Sequence, residues 1–231
     1  RLIEAKNMTV NAKAGYESSM GKYLIELAGT STFTVENGAT LTVNSTFIEK
    51  QPQNGTTGTS YSFTKAGEGK MILADTLTVG SGIETQFRNF SGTVNVTGGI
   101  LEVQGTLGNA SGVELTSDTQ LIFNRSTTVA LNFNGVISGS GNVDVQAGTI
   151  HLTNTTAGLT ATGALTIANG AALIVDVGTI SQETTLGGSL TAGAISGKLT
   201  LQEGATIGHS AATNKNVTIS GEIDATGANV L

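Results

Sequence analysis

Short blocks of strict apolar–polar alternation recur along the whole chain, and they constrain the fold more than any other feature. Examples are Thr32-Phe33-Thr34-Val35, Thr40-Leu41-Thr42-Val43, Thr76-Leu77-Thr78-Val79, Thr93-Val94-Asn95-Val96, Ile100-Leu101-Glu102-Val103, Asn142-Val143-Asp144-Val145 and Leu199-Thr200-Leu201. A period of two sends one set of side chains inward and the other toward solvent, the signature of a half-buried strand. Threonine at the outward positions suits a pleated backbone, because its branched Cβ restricts the side-chain torsion in the way a strand tolerates. The blocks are separated by Asn37-Gly38, Gly67-Glu68-Gly69, Gly80-Ser81-Gly82, Gly98-Gly99, Gly139-Ser140-Gly141, Asn169-Gly170 and Gly187-Gly188. Glycine and asparagine accept positive φ, so the chain can turn sharply at each of these points.

One turn formula is reused. Val35-Glu36-Asn37-Gly38-Ala39-Thr40-Leu41 matches Ile167-Ala168-Asn169-Gly170-Ala171-Ala172-Leu173 and Leu201-Gln202-Glu203-Gly204-Ala205-Thr206-Ile207. A sandwich or barrel has no physical reason to repeat one turn, whereas a solenoid must, because every coil stacks on a near-copy of itself. The expected fold is therefore all-β, a right-handed parallel β-helix (β-solenoid) with coils of roughly 20–25 residues, over residues 1–231 as a single segment. Residues 16–28 lack clear alternation and are open to a short helix or an irregular rung. The polar stretch 49–60 contains the single proline, Pro52, which would remove a ladder hydrogen bond from a central strand. It is expected to protrude as a loop.

Composition narrows the function classes. Charged residues make up 12% of the chain and aromatic residues 4%, with no Trp and no Cys. Disordered chains lack the β-branched apolar residues that recur here, so the reading is a thin folded core of Val, Ile, Leu and Ala. The net charge of -6, with no basic stripe and no platform of aromatics, argues against nucleic acid and against an acidic membrane surface. No apolar run approaches the ~20 residues of a membrane-spanning helix. A stack with a continuous core needs no disulfides.

Two segments carry a resemblance. The first is Phe63-Thr64-Lys65-Ala66-Gly67-Glu68-Gly69-Lys70-Met71-Ile72-Leu73, followed by Phe90-Ser91-Gly92-Thr93-Val94-Asn95-Val96-Thr97-Gly98-Gly99-Ile100-Leu101-Glu102-Val103. The second is Phe133-Asn134-Gly135-Val136-Ile137-Ser138-Gly139-Ser140-Gly141-Asn142-Val143-Asp144-Val145, followed by Gly148-Thr149-Ile150-His151-Leu152. Both resemble the passenger-associated transport repeat of bacterial autotransporters, also called the autotransporter-associated β-strand repeat. Its frame runs F-x-G-x-I-x-G-x-G-x-L, then K-x-G-x-G-x-L-x-L, then G-x-L-x-V. The resemblance is strongest over residues 63–152 and looser elsewhere. It implies a right-handed parallel β-helix exported through the outer membrane and displayed at the bacterial cell surface, with the repeat aiding export and folding. The chain opens and closes within the pattern, without the family's signal peptide or membrane barrel. The expectation is a piece of a longer polypeptide, anchored through a part of the chain not present here.

Chemistry-bearing residues are few. Asp75, Asp118, Asp144, Asp176 and Asp224 mostly fall at outward positions and read as solvated structural carboxylates, although acidic residues aligned on adjacent coils could do acid–base work. His151 sits opposite Ile150 and Leu152 and reads as an exposed strand histidine. With His209 it completes the histidine complement, and no zinc spacing is present. There is no G-x-S-x-G elbow, no calcium nonapeptide, and no helix after Gly139-Ser140-Gly141 to make a dinucleotide loop. The N-x-S/T triplets starting at Asn7, Asn44, Asn54, Asn89, Asn95, Asn109, Asn124, Asn154 and Asn216 read as products of abundant Asn and Thr rather than glycan acceptors. Threonine arrays on stacked coils read as ladders rather than an ice-binding face. No catalytic, metal or cofactor residues are expected. The functional expectation is a non-catalytic passenger segment acting as adhesin or stalk toward a host or neighbouring-cell protein or glycan, with self-association at open edges. The alternatives are a polysaccharide-acting β-helix lyase or hydrolase and an architectural surface-layer component.

Overall fold

Each alternating block among the described residues forms a strand of two to six residues, and its hydrogen-bonded neighbours lie one coil earlier or later in the sequence. The computed structural model describes residues 2–5, 9–12, 17–20, 24–27, 29–44, 46–49, 60–74, 90–209 and 216–227. The strands pair in parallel, as Leu24–Leu27 does with Thr46–Glu49 and Thr149–Leu152 with Ala172–Val175, and no helix occurs among the described residues. This is the parallel β-solenoid that the repeated turn formula predicts.

The chain divides into two compact units, Arg1–Glu114 and Leu115–Leu231. In the first, the strands belong to three parallel sheets. One carries Thr9–Ala12, Ser31–Val35, Phe63–Ala66 and Thr93–Val96. The second carries Glu17–Met20, Thr40–Val43, Lys70–Leu73 and Ile100–Val103. The third carries Leu2–Ala5, Leu24–Leu27 and Thr46–Glu49. Of the two readings open at 16–28, the described residues there are not helical: Glu17–Met20 and Leu24–Leu27 are strands, in register with Thr40–Val43 and Thr46–Glu49 one coil later. Ladder partners decide the conformation there, where local periodicity is weak. The expected loop at 49–60 and the block Thr76–Val79 lie outside the described residues, apart from Glu49 and Ser60 at the loop's ends.

The second unit repeats the arrangement. One sheet runs through Gln120–Asn124, Asn142–Ala147, Leu165–Ile167, Thr184–Leu186, Leu199–Gln202 and Ile223–Gly227. Another runs through Leu131–Phe133, Thr149–Leu152, Ala172–Val175, Ser189–Thr191 and Thr206–Gly208. A third joins Thr179–Ile180, Ala194–Ile195 and Thr218–Ile219. Coil length is less uniform than the sequence suggests. Leu165 is paired 22 residues after Val143, but Thr184 with Leu199 only 15 later. In the first unit Ser31 pairs with Phe63, 32 later, across the undescribed stretch.

Register turns the alternation into columns along the stack. Leu41, Met71 and Leu101 form one buried column, and Val43, Leu73 and Val103 the next. In the second unit Leu121, Val143, Leu165, Thr184 and Leu199 stack in register, all buried. The hydroxyl of inward Thr184 donates to the carbonyl of Gln182 at 3.2 Å, which satisfies a polar group inside an apolar column. Phe33, Phe47 and Phe63 thicken the first core. Phe33 meets the other two edge-on at 5.6 and 5.7 Å, and Phe47 stacks on Phe63 at 4.8 Å, within the favourable range for ring pairs.

The corners explain the glycines. The reused formula forms a tight turn in which Ala39 N–H donates to Glu36 O, Ala171 N–H to Ala168 O and Ala205 N–H to Gln202 O. Gly38, Gly170 and Gly204 take positive φ at its tip, and Asp118 takes the same conformation in the fourth instance, Thr116-Ser117-Asp118-Thr119. Gly67-Glu68-Gly69, Gly139-Ser140-Gly141 and Gly187-Gly188 sit on these turns, and Gly98-Gly99 sits in turn on Gly67-Glu68-Gly69. A Cβ at Gly69 would lie 2.7 Å from Ala39 O, one at Gly141 2.8 Å from Thr119 O, and one at Gly188 would run into the carbonyls of Ala168 and Ala171. The two turn types therefore belong to successive coils and nest one upon the other.

Candidate functional site

Stacked strands present their outward residues as rows one strand spacing apart, so any site on this fold is built from register partners. A row of three hydroxyls flanked by two carboxylates lies on the second unit. Asp144, Thr166, Thr185, Thr200 and Asp224 are in-register neighbours, each half-buried between flanking strands. On the first unit Thr9, Thr32, Thr64 and Asn95 make a second row with the same number of threonines. These arrangements support the ladder reading of the threonines: branched side chains pack against identical neighbours above and below.

The acidic residues are not brought together. Asp144 and Asp224 end the threonine row four strand steps apart, about 19 Å at ~4.8 Å per step. Paired catalytic carboxylates need ~5–9.5 Å. Asp144 accepts a hydrogen bond from Gln146 Nε2 at 2.7 Å. Asp224 accepts from the Thr226 hydroxyl at 2.8 Å and the Thr226 N–H at 3.1 Å. Those two bonds hold its carboxyl below the usual aspartate range, because they stabilise the ionised form. Asp118 is an exposed turn residue, and Asp75 lies outside the described residues.

His151 differs from its expected reading. It is half-buried, and its Nε2 lies 2.9 Å from Asp176 Oδ2. The sequence held the signal in its repeat. His151 pairs in register with Ile174, so Asp176, two residues further along the same face, is its diagonal neighbour. A His–carboxylate pair alone orients an imidazole but supplies no nucleophile. The register neighbours of His151 are Asn132 and Ile174, neither of which can act as one. His209 is exposed at the end of Thr206–Gly208. No group of three or more His, Cys, Asp or Glu able to hold a metal occurs among the described residues.

Two charged residues escaped the sequence reading. Lys65 stands at an inward position and is fully buried. Its ammonium donates to the carbonyls of Gly67, Gly69 and Gly98 at 2.5, 2.6 and 2.6 Å. Burial pushes its pKa down to about 8, against an opposing pull from Glu68. Glu102 is outward by alternation yet buried, and accepts from Lys70 Nζ at 2.8 Å and Gln104 Nε2 at 2.7 Å. The buried amide of Gln182 donates to Ala161 O.

Among the N-x-S/T triplets, Asn154 is occupied structurally. Its amide donates to Asn134 O at 2.8 Å, and its oxygen accepts from the N–H groups of Thr156 and Ala157. Asn95 and Asn124 lie within strands, Asn44 is half-buried, and Asn109 and Asn216 are exposed. Asn7, Asn54 and Asn89 lie outside the described residues.

Comparison with protein-family models, curated proteins and solved structures gives no match to this chain.

Proposed function

We propose that this chain is a non-catalytic segment of a surface-displayed passenger, working as a stalk or an adhesive face toward a protein or glycan of a host or neighbouring cell. The observation that carries the reading is the in-register outer row Asp144–Thr166–Thr185–Thr200–Asp224. It presents small hydroxyls at a constant spacing and keeps its carboxylates too far apart for shared acid–base chemistry. Such a face suits many weak polar contacts with an extended partner better than the enclosure a reaction needs. The resemblance of residues 63–152 to the autotransporter repeat supports export and display, and the nested glycine corners fit a chain that grows by adding coils.

The test is attachment. Cells displaying the complete parent polypeptide, with and without residues 1–231, are compared for mutual aggregation and for binding to host cells and glycan surfaces. An adhesive face predicts loss of attachment on deletion and partial loss when Thr166, Thr185 and Thr200 are together changed to Lys. A stalk predicts that the deletion is rescued by an unrelated solenoid of similar length. Release of reducing or unsaturated sugar from a polysaccharide by the purified chain would overturn both.

A further inference from the structure

In the inward columns Lys65 stands where the alternation calls for an apolar side chain. Its register neighbours are Phe33 on one coil and Val96 on the next, and both are fully buried. A lone charge at such a position is strongly disfavoured unless each of its protons finds an acceptor. An ammonium has three donors, and here three backbone carbonyls receive them: Gly67 and Gly69 from the turn of its own coil and Gly98 from the turn of the next. The glycines make this convergence possible. A Cβ on Gly98 would lie 3.1–3.2 Å from the backbone of Gly67, and one on Gly99 2.6–2.7 Å from that of Glu68. The two turns therefore approach as closely as bare backbones allow, and their carbonyls face one amine.

We propose that Lys65 is a coil-to-coil latch: by donating to Gly67, Gly69 and Gly98 it fixes how the turn at 98–99 seats on the turn at 67–69, and so the register of the strands beyond. The ladder on both sides of the cage supports this. Thr97 N–H donates to Lys65 O at 2.9 Å and Ile100 N–H to Gly69 O at 3.2 Å. The second bond shares its acceptor with the ammonium, so the amine and the ladder report one geometry. An amine held near 8 remains mostly protonated at neutral pH, which keeps all three donors in place. Glu68, exposed on the same turn, is the charged group that acts on it. Its register neighbours Phe33 and Val96 carry no charge. The latch belongs to the fold and is independent of the surface-display proposal.

The direct test uses the unaltered chain. A lysine side-chain 1H–15N spectrum at pH 6 should show one ammonium whose protons exchange at least tenfold more slowly than those of the other lysines. It should disappear in Lys65→Met. If every lysine ammonium exchanges at the same rate, the latch is wrong. Lys65→Met keeps the apolar stem and removes the donors. It should lower the melting temperature by roughly 5–10 °C, because buried carbonyls lose a partner, and should speed amide exchange at Thr97 and Ile100 ahead of that at Val43 and Leu73. A variant as stable as the wild type, with those two amides unchanged, would also overturn the proposal. In Lys65→Ala, n-butylammonium should raise the melting temperature saturably. An equal effect from tetramethylammonium, which has no N–H, would count against a donor role.

Discussion

Replacing Gly139 and Gly170 by alanine separates two reasons for a glycine that sequence alone merges. Both have positive φ, +96° and +80°. Both substitutions therefore carry the left-handed strain of an L-residue, ~1–2 kcal/mol, partly offset by the ~0.4–1 kcal/mol gained from a stiffer unfolded chain. Their surroundings differ. A Cβ at Gly170 meets nothing within 4 Å, whereas at Gly139 it would lie 2.8 Å from Leu115 C and N and closer still to Leu115 O. That carbonyl also accepts the N–H of Ser140 at 2.8 Å, so relief by moving the strand sacrifices a bond between coils. Gly170→Ala should cost about 1 kcal/mol. Gly139→Ala adds overpacking of ~1–3 kcal/mol and a lost hydrogen bond of ~1 kcal/mol, for a total near 3–5 kcal/mol. At roughly 2–4 °C per kcal/mol for a chain of this size, a difference of ~2–4 kcal/mol separates the melting temperatures by about 4–16 °C. Both positions belong to the unit Leu115–Leu231, so urea and thermal melts of the two variants report on the same cooperative block. Equal midpoints, or Gly170→Ala as the weaker protein, would refute the claim that corner glycines exist to let coils nest.

Four further outcomes follow from the same geometry. Stability should rise as pH increases from about 8 to 10.5: Lys65 loses its proton near 8 when folded and near 10.5 when unfolded, so the unfolded chain holds more protons across that window. The rise is bounded by about 3 kcal/mol, and a pH series on Lys65→Met should lose it. Phe63→Ala should cost ~3–5 kcal/mol, because its ring contacts Phe33, Phe47 and Phe90; urea melts measure it. Thr184→Val should be neutral or stabilise by up to ~1 kcal/mol, since it places a methyl in a column of Leu and Val and removes only a long hydroxyl bond. A double-mutant cycle on His151→Asn and Asp176→Asn should give a coupling below ~1 kcal/mol, as expected for a partly exposed pair.

The fold was legible because inward positions are constrained twice, by alternation along the strand and by near-identity with the coils on either side. Val35-Glu36-Asn37-Gly38-Ala39-Thr40-Leu41 and its copies gave the stacking, and the Gly-x-Gly motifs marked the turns that nest on them. What escaped was register between coils of unequal length. The step from Thr184 to Leu199 is 15 residues and that from Leu199 to Ile223 is 24, so a fixed period cannot place one outer residue beside another. Hence the separation of Asp144 from Asp224 emerges only from the ladder. Lys65 escaped for another reason: a binary pattern has no symbol for a charge whose acceptors are backbone carbonyls.

The same asymmetry bears on function. An outward residue on a solenoid answers only to strand propensity and to its partner, and threonine satisfies both at most positions without revealing what the face meets. The informative outer positions are those that depart from that default. Glu102 is buried and bonded to Lys70 and Gln104, and His151 is paired diagonally with Asp176. Both exchange the ladder's uniformity for directed polar contacts, which a purely structural row does not need. If the proposed adhesive role is right, changes at Thr166, Thr185 and Thr200 should alter attachment with little change in stability, whereas changes at inward Leu121 or Val143 should alter both. Attachment that tracks stability across both sets would instead mean that the coils serve only to hold something else away from the cell.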